Sequence, residues 1–207
     1  MSRIILLCVF TLATIAMVVG AQESTAPQHD SSVASRGSAT SRPLILQEAD
    51  GERLIHTSGP LSGLPFTIKI DGDNGNAQDF FVFTETLAPG QTIPFHKHDN
   101  AEEILILEEE GATVMVGDRW AVAGAHSMVF IPRDTWISAT NKGKQGIHVI
   151  SIFSRQGFDR YMRAIGAKPG TPITPVSPVE LPHLRALGHS MYWDTSKGPY
   201  PPGVAHP

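Results

Sequence analysis

Cysteine is all but absent: among 207 residues only Cys8 occurs. That excludes a disulfide framework and any site built from paired thiolates, zinc and iron–sulfur sites included. Basic clusters are missing as well. Sixteen Lys and Arg against 20 Asp and Glu give a formal charge of −4 with no basic block, so the electrostatic footprint of a nucleic-acid binder is lacking and no nucleic-acid partner is expected. Long apolar runs are scarce too: one of about 16 residues falls just short of the roughly 17 to 20 that span a bilayer, and a single membrane anchor is the alternative reading of it. The longest, Ile4 to Val19, follows Arg3 and ends in the small-residue exit Val19-Gly20-Ala21. These features predict a signal peptide over residues 1–21 cleaved before Gln22, export to the periplasm or the medium, and no stable membrane span after cleavage. Cys8 leaves with that segment.

Two further stretches lack the means to build a core. Residues 22–43 have Val33 as their single large aliphatic side chain and read as a disordered linker. Beyond Gly166, nine of the 16 prolines fall in the last 41 residues, which predicts a Pro-rich tail over 166–207 without long regular elements. One short helix is expected there, Val179 to Leu187, with Ser177 as cap, Pro178 in the first turn and Gly188 as terminator. Tyr192 and Trp193 are expected to fasten the tail to the domain surface.

What is present lies between. From Pro43 to Arg155 the apolar residues come in short runs rich in Val, Ile, Phe and Thr, separated by Gly, Asp and Asn. Strands are predicted at 53–56, 66–70, 80–87, 103–107, 113–116, 128–131, 136–140 and 147–153, with turns at Asp71-Gly72-Asp73, Val116-Gly117-Asp118 and Asn141-Lys142-Gly143. The pattern is all-β, a sandwich or barrel. One helix follows: Phe158, Tyr161, Met162 and Ile165 recur at helical spacing before Gly166, and their stripe is expected to cover the outer face of the barrel, closing a domain over 44–165.

The chemistry concentrates in Pro89-Gly90-Gln91-Thr92-Ile93-Pro94-Phe95-His96-Lys97-His98-Asp99-Asn100-Ala101-Glu102-Glu103. On a strand, residues two apart share a face, so His96 and His98 point one way and Lys97 the other. A carboxylate four or five residues on, Glu102 or Glu103, can approach the same point. Two His and one carboxylate form the facial set of non-haem iron, and the set also suits Mn, Ni or Zn.

This run resembles the first motif of the cupin superfamily, G-x5-H-x-H-x3/4-E-x6-G, with Gly90, His96 and His98 in place. Glu102 satisfies the shorter spacing and Glu103 the longer. Glu103 is preferred because counting on from it reaches Val116-Gly117-Asp118 where such proteins carry V-G-D; Glu110 and not Gly111 then falls on the motif glycine, which keeps Glu102 open. The second motif, G-x5-P-x-G-x2-H-x3-N, is recognisable from Ala125 to Asn141. Pro132 and Asn141 match, whereas His126 and Asp134 replace its glycines and Ile137 replaces its histidine, the usual last metal ligand. Phe153-Ser154-Arg155-Gln156-Gly157-Phe158-Asp159-Arg160-Tyr161 is similar to the end of the barrel in small single-domain bacterial cupins labelled quercetin-dioxygenase-like. The resemblance implies a jelly-roll barrel, the double-stranded β-helix, with a divalent metal (Fe, Mn, Ni or Zn) on His96, His98 and Glu103 or Glu102, and a homodimer. His126 and His148 are the other histidines that could be recruited.

Three functions follow as alternatives. A three-ligand site leaves coordination positions for a small molecule and dioxygen, as in a metal-dependent oxidoreductase of the dioxygenase type, and also permits isomerase or hydrolytic chemistry. A barrel made more apolar by Ile137 could instead bind a small molecule without metal or turnover. The third is a structural domain with a vestigial site. Trp136 is expected in the core or at the rim, Trp120 in surface packing, and Glu108-Glu109-Glu110 in a solvated turn.

Overall fold

A computed structural model describes residues 40–204 of the chain. The segment 1–21 with Cys8, residues 22–39 of the linker, and His206 lie outside the described residues. Twelve strands and two helices follow in order: β1 (Glu52–His56), β2 (Pro65–Ile70), β3 (Phe81–Leu87), β4 (Thr92–His98), β5 (Glu103–Leu107), β6 (Ala112–Val116), β7 (Arg119–Ala123), β8 (Ser127–Ile131), β9 (Ile137–Asn141), β10 (Ile147–Phe153), α1 (Phe158–Ala164), β11 (Gly166–Ala167), α2 (Leu181–Leu187) and β12 (Ser190–Tyr192). One sheet runs β11-β1-β2-β3-β10-β5-β8, the other β12-β4-β9-β6-β7. Every described pairing is antiparallel. This is the expected all-β jelly roll.

Side-chain alternation decides which face is inside. In β10, Ile147, Val149, Ser151 and Phe153 are buried while the residues between them are half-exposed, the period of two that a half-buried strand requires. The buried faces make two apolar clusters. One gathers Leu87, Leu105, Ile137 and Val149 with their neighbours; the other is aromatic, with Phe66, Phe81, Phe83, Phe153 and Phe158. Among the described residues no helix is long and apolar enough to cross a membrane.

Two expectations change. The stripe of α1 does not lie on the outer face: Phe158, Tyr161, Met162 and Ile165 belong to the aromatic cluster and line an internal cavity. A helix that closes the open end of two facing sheets buries more apolar area there than it would on a sheet's outside. The Pro-rich tail is also not merely fastened to the surface. It supplies β11 beside β1 and β12 beside β4, and so extends both sheets. Its helix begins two residues later than expected, with Glu180 at the cap and Pro182 in the first turn. The end of the linker, Ser41 and Arg42, hydrogen-bonds the loop at Asn74–Asn76.

β7 was not predicted because it carries no inward pattern: of its five residues only Ala123 is buried. It is an edge strand defined by its hairpin with β6.

Candidate metal centre

The orientation of the two histidines is set by a bulge. Ile93 pairs with Ala139 and His96 with Ile137, so three steps along β4 match two along β9. The extra residue lies beside Pro94, which has no N–H for the ladder, and a bulge is where a strand tolerates proline. It also reverses the phase. Ile93 is buried, and after the bulge so are His96 and His98, with Lys97 between them directed outward. The Pro94 carbonyl accepts a hydrogen bond of 2.8 Å from His96 Nδ1, which leaves the Nε2 lone pair for a ligand.

Glu103 opens β5 on the inward phase that it shares with Leu105 and Leu107. Donor atoms of His96, His98 and Glu103 all lie within 4.8 Å of one another. Glu102 is exposed, and its backbone N–H is bonded to Ser154 Oγ at 2.9 Å. The reason is a displaced insertion. Gly111, not residue 110, takes the left-handed backbone (φ 107), and a Cβ there would stand 2.9 Å from Gly143 Cα. The extra residue relative to the motif is thus absorbed in the β5–β6 turn, and the spacing from His98 to Glu103 is untouched.

The residues fit a cation. His98 Nδ1, His98 Nε2 and Glu103 Oε2 are buried without a hydrogen-bond partner, and His98 Nε2 is 4.0 Å from Glu103 Oε2. Orphaned buried polar atoms are costly, and a divalent ion among them would satisfy those facing it. Burial holds His96 below its ordinary pKa, against the Pro94 carbonyl. His98 is pushed further down by burial and by the His96 charge. Burial raises Glu103 to about 8, with Glu85 adding to the rise and Ser151 opposing it. The metal-free cluster is therefore neutral near pH 7, and metal uptake replaces the Glu103 proton.

The cluster opens into a cavity of about 270 Å³ between the two apolar clusters, reached by His96, Glu103 and Ile137. Ile137 is buried and leaves the fourth corner of the site apolar. His126 is exposed at a turn and His148 is bound at 2.6 Å to Glu108, so neither joins the site. Glu108 and Glu109 are thus not merely solvated: both clasp His148. Trp136 packs on Lys97 and on Trp193, which lines the cavity.

Three residues here were not singled out from the sequence, and a fourth, Tyr192, was expected only to fasten the tail. His56 Nε2 is 3.0 Å from Glu85 Oε2, both buried and both lining the cavity. Tyr192 stacks on His96 with centroids 5.3 Å apart, and Arg185 lies 4.4 Å over the Tyr192 ring. Only Glu85 carried a local signal: in Phe81-Val82-Phe83-Thr84-Glu85-Thr86-Leu87 it occupies the phase of the buried Phe and Leu.

Residues 83–153 match the family defined as Cupin domain. The chain carries a cupin domain. No curated protein matches the sequence. Among solved structures, a predicted oxalate decarboxylase from Thermotoga maritima is 13% identical, with 54% of this chain and 99% of that one covered and a TM-score of 0.48. A cupin domain from Schizosaccharomyces pombe is 16% identical over 52% and 75%, with a TM-score of 0.40. An oxalate decarboxylase from Lactobacillus farciminis in complex with formate is 21% identical over 44% and 29%, with a TM-score of 0.41.

The departures from the cupin motifs keep the backbone while changing the side chain. His126 and Asp134, standing where the second motif has glycine, both adopt positive φ, 58° and 57°. Asn141 keeps the motif identity and joins three segments: Nδ2 donates to the Leu87 and Gln145 carbonyls at 2.8 and 2.7 Å, and Oδ1 accepts from Gly143 N–H at 2.8 Å.

Proposed function

We propose that this cupin binds one divalent metal, Fe, Mn, Ni or Zn, through His96, His98 and Glu103, and turns over a small molecule as a metal-dependent oxidoreductase of the dioxygenase type. The observation that carries the reading is the set of orphaned buried atoms on His98 and Glu103, the latter on the cavity wall. When bound, the ion supplies Lewis-acid polarisation and, if redox-active, electron transfer. The chain's own residues do the remainder. Pro94 fixes His96 with Nε2 toward the site. Phe153 and Phe158 pack edge-on against His98 at 5.0 and 4.5 Å and keep water from its ring. His56 and Glu85 share a hydrogen bond on the cavity wall, so the pair can pass a proton to or from a bound molecule.

Metal-free binding of a small molecule is the second reading, favoured by the apolar Ile137 beside His96. Elemental analysis of the purified protein and titration with Fe(II), Mn(II), Ni(II) and Zn(II) separates the two. Near-stoichiometric binding lost in His96→Ala and in His98→Ala supports the metal site; wild type that takes up none of the four ions refutes it. Export through residues 1–21 and a homodimer belong to the same proposal, supported by the Arg3-led apolar run and by Met128 and Phe130 exposed on β8. The mass of the mature chain and its sedimentation test them.

A further inference from the structure

Arg185 is a cation without an anion. It projects from α2, lines the cavity together with Leu181 one turn earlier, and has its Nε buried with no hydrogen-bond partner. Among the described residues no carboxylate reaches ion-pair distance of it. Of the four carboxylates that share a cavity with it, Glu85 is committed to His56 at 3.0 Å, Asp134 to Lys97 at 3.2 Å and Asp99 to His189 at 2.9 Å, and the fourth, Glu103, belongs to the cluster with His96 and His98. The Arg185 guanidinium lies over the Tyr192 ring, at 4.4 Å.

A buried guanidinium donor without an acceptor is costly, and the planar fork of Arg suits a carboxylate in two-point contact. Much of the remaining wall is apolar: Phe83, Leu105, Ile137, Phe158 and Met162 line the cavity with Arg185 and His96. The same Tyr192 ring touches His96 at one contact and Arg185 at another, so the metal-ligand histidine and the guanidinium are held by one side chain at the same cavity.

We infer that the cavity selects a small carboxylic acid with an apolar body, its carboxylate held by Arg185 and its body among the aromatic and aliphatic side chains. This deepens the enzymatic reading by naming the substrate class; the recognition itself requires no metal. Glu103 and the His56–Glu85 pair line the same space.

The test is calorimetric titration of metal-stripped and metal-loaded protein at pH 7. The probes are benzoate, phenylacetate and hexanoate, each against its neutral amide. In stripped wild type the acids that fit should bind about tenfold or more tightly than their amides, the worth of one charge-assisted contact. Arg185→Gln should erase the preference while changing amide affinity less than about twofold, and Arg185→Lys should restore part of it. Three outcomes overturn the inference: no acid exceeds its amide in wild type, Arg185→Gln weakens acid and amide alike, or it leaves the preference intact. Failure of the metal reading shows separately, as wild type that takes up no divalent ion while still preferring the acids.

Discussion

Metal-free protein should lose stability as pH rises from 6.5 to 8, and Glu103→Gln should remove that loss. Burial lifts the Glu103 carboxyl from 4.5 to about 8. Between those values the folded chain keeps a proton that the unfolded chain has released, so folding takes up a proton and stability falls with rising pH. Over the whole interval the effect is on the order of 5 kcal/mol, at about 1.4 kcal/mol per unit, and roughly 1.5 kcal/mol of it falls between pH 6.5 and 8. The sign separates this group from its neighbours. His96 and His98 are held below 6.5 by burial, so they stay neutral in the fold while their unfolded counterparts take up protons. They reduce stability as pH falls, and because an unfolded histidine is still half-protonated at pH 6.5 they return up to about 0.4 kcal/mol each as pH rises from 6.5 to 8, against the Glu103 effect. The assay is urea unfolding in EDTA at the two pH values, followed by tryptophan fluorescence. The change from pH 6.5 to 8 should be more unfavourable in wild type than in Glu103→Gln by roughly 1.5 kcal/mol, with the variant holding level or gaining up to about 0.8 kcal/mol. Divalent metal should reverse the trend, expelling about 0.9 proton per ion at pH 7, read from the dependence of calorimetric heat on buffer ionisation. An equal decline in both proteins, or metal uptake with no proton release, would refute the reasoning.

Other outcomes follow from single residues. Ile137→His places an imidazole opposite His96, its register partner, and should tighten divalent metal binding by roughly tenfold or more; unchanged affinity in a chelator competition would mean that this position does not face the ion. Asn141→Ala strands the Leu87 and Gln145 carbonyls and the Gly143 N–H and should cost about 3 kcal/mol in denaturant unfolding, without changing metal stoichiometry at temperatures where the variant is folded. His126→Gly relieves a side chain at φ 58 and should raise stability by about 1 kcal/mol, measurable as a higher unfolding midpoint; a lower one would show that the exposed imidazole makes a stabilising contact.

The strands that form both sheets' interiors were legible because burial imposes a period of two on the residues themselves. Ile147 to Phe153 is the clearest, since its pattern is fixed by which side chains must leave water. The pair His96 and His98 was legible for the same reason, and so was a carboxylate close by. The choice between Glu102 and Glu103 was not, because a one-residue insertion can fall on either side of it. Only the turn at Gly111, fitted against Gly143, assigns that insertion to the loop and turns Glu103 inward.

Sequence by itself therefore determined the fold class, the strand faces and the two imidazoles, all consequences of local periodicity and of residue chemistry. The tertiary structure alone decided what meets them. β12 is three residues in a Pro-rich tail, with no periodicity of its own, and it exists because β4 offers an open edge. Tyr192 on His96, Arg185 on Tyr192, and His56 on Glu85 are contacts between segments distant along the chain. No local pattern encodes such contacts, because each follows from how the sheets and helices close around one cavity.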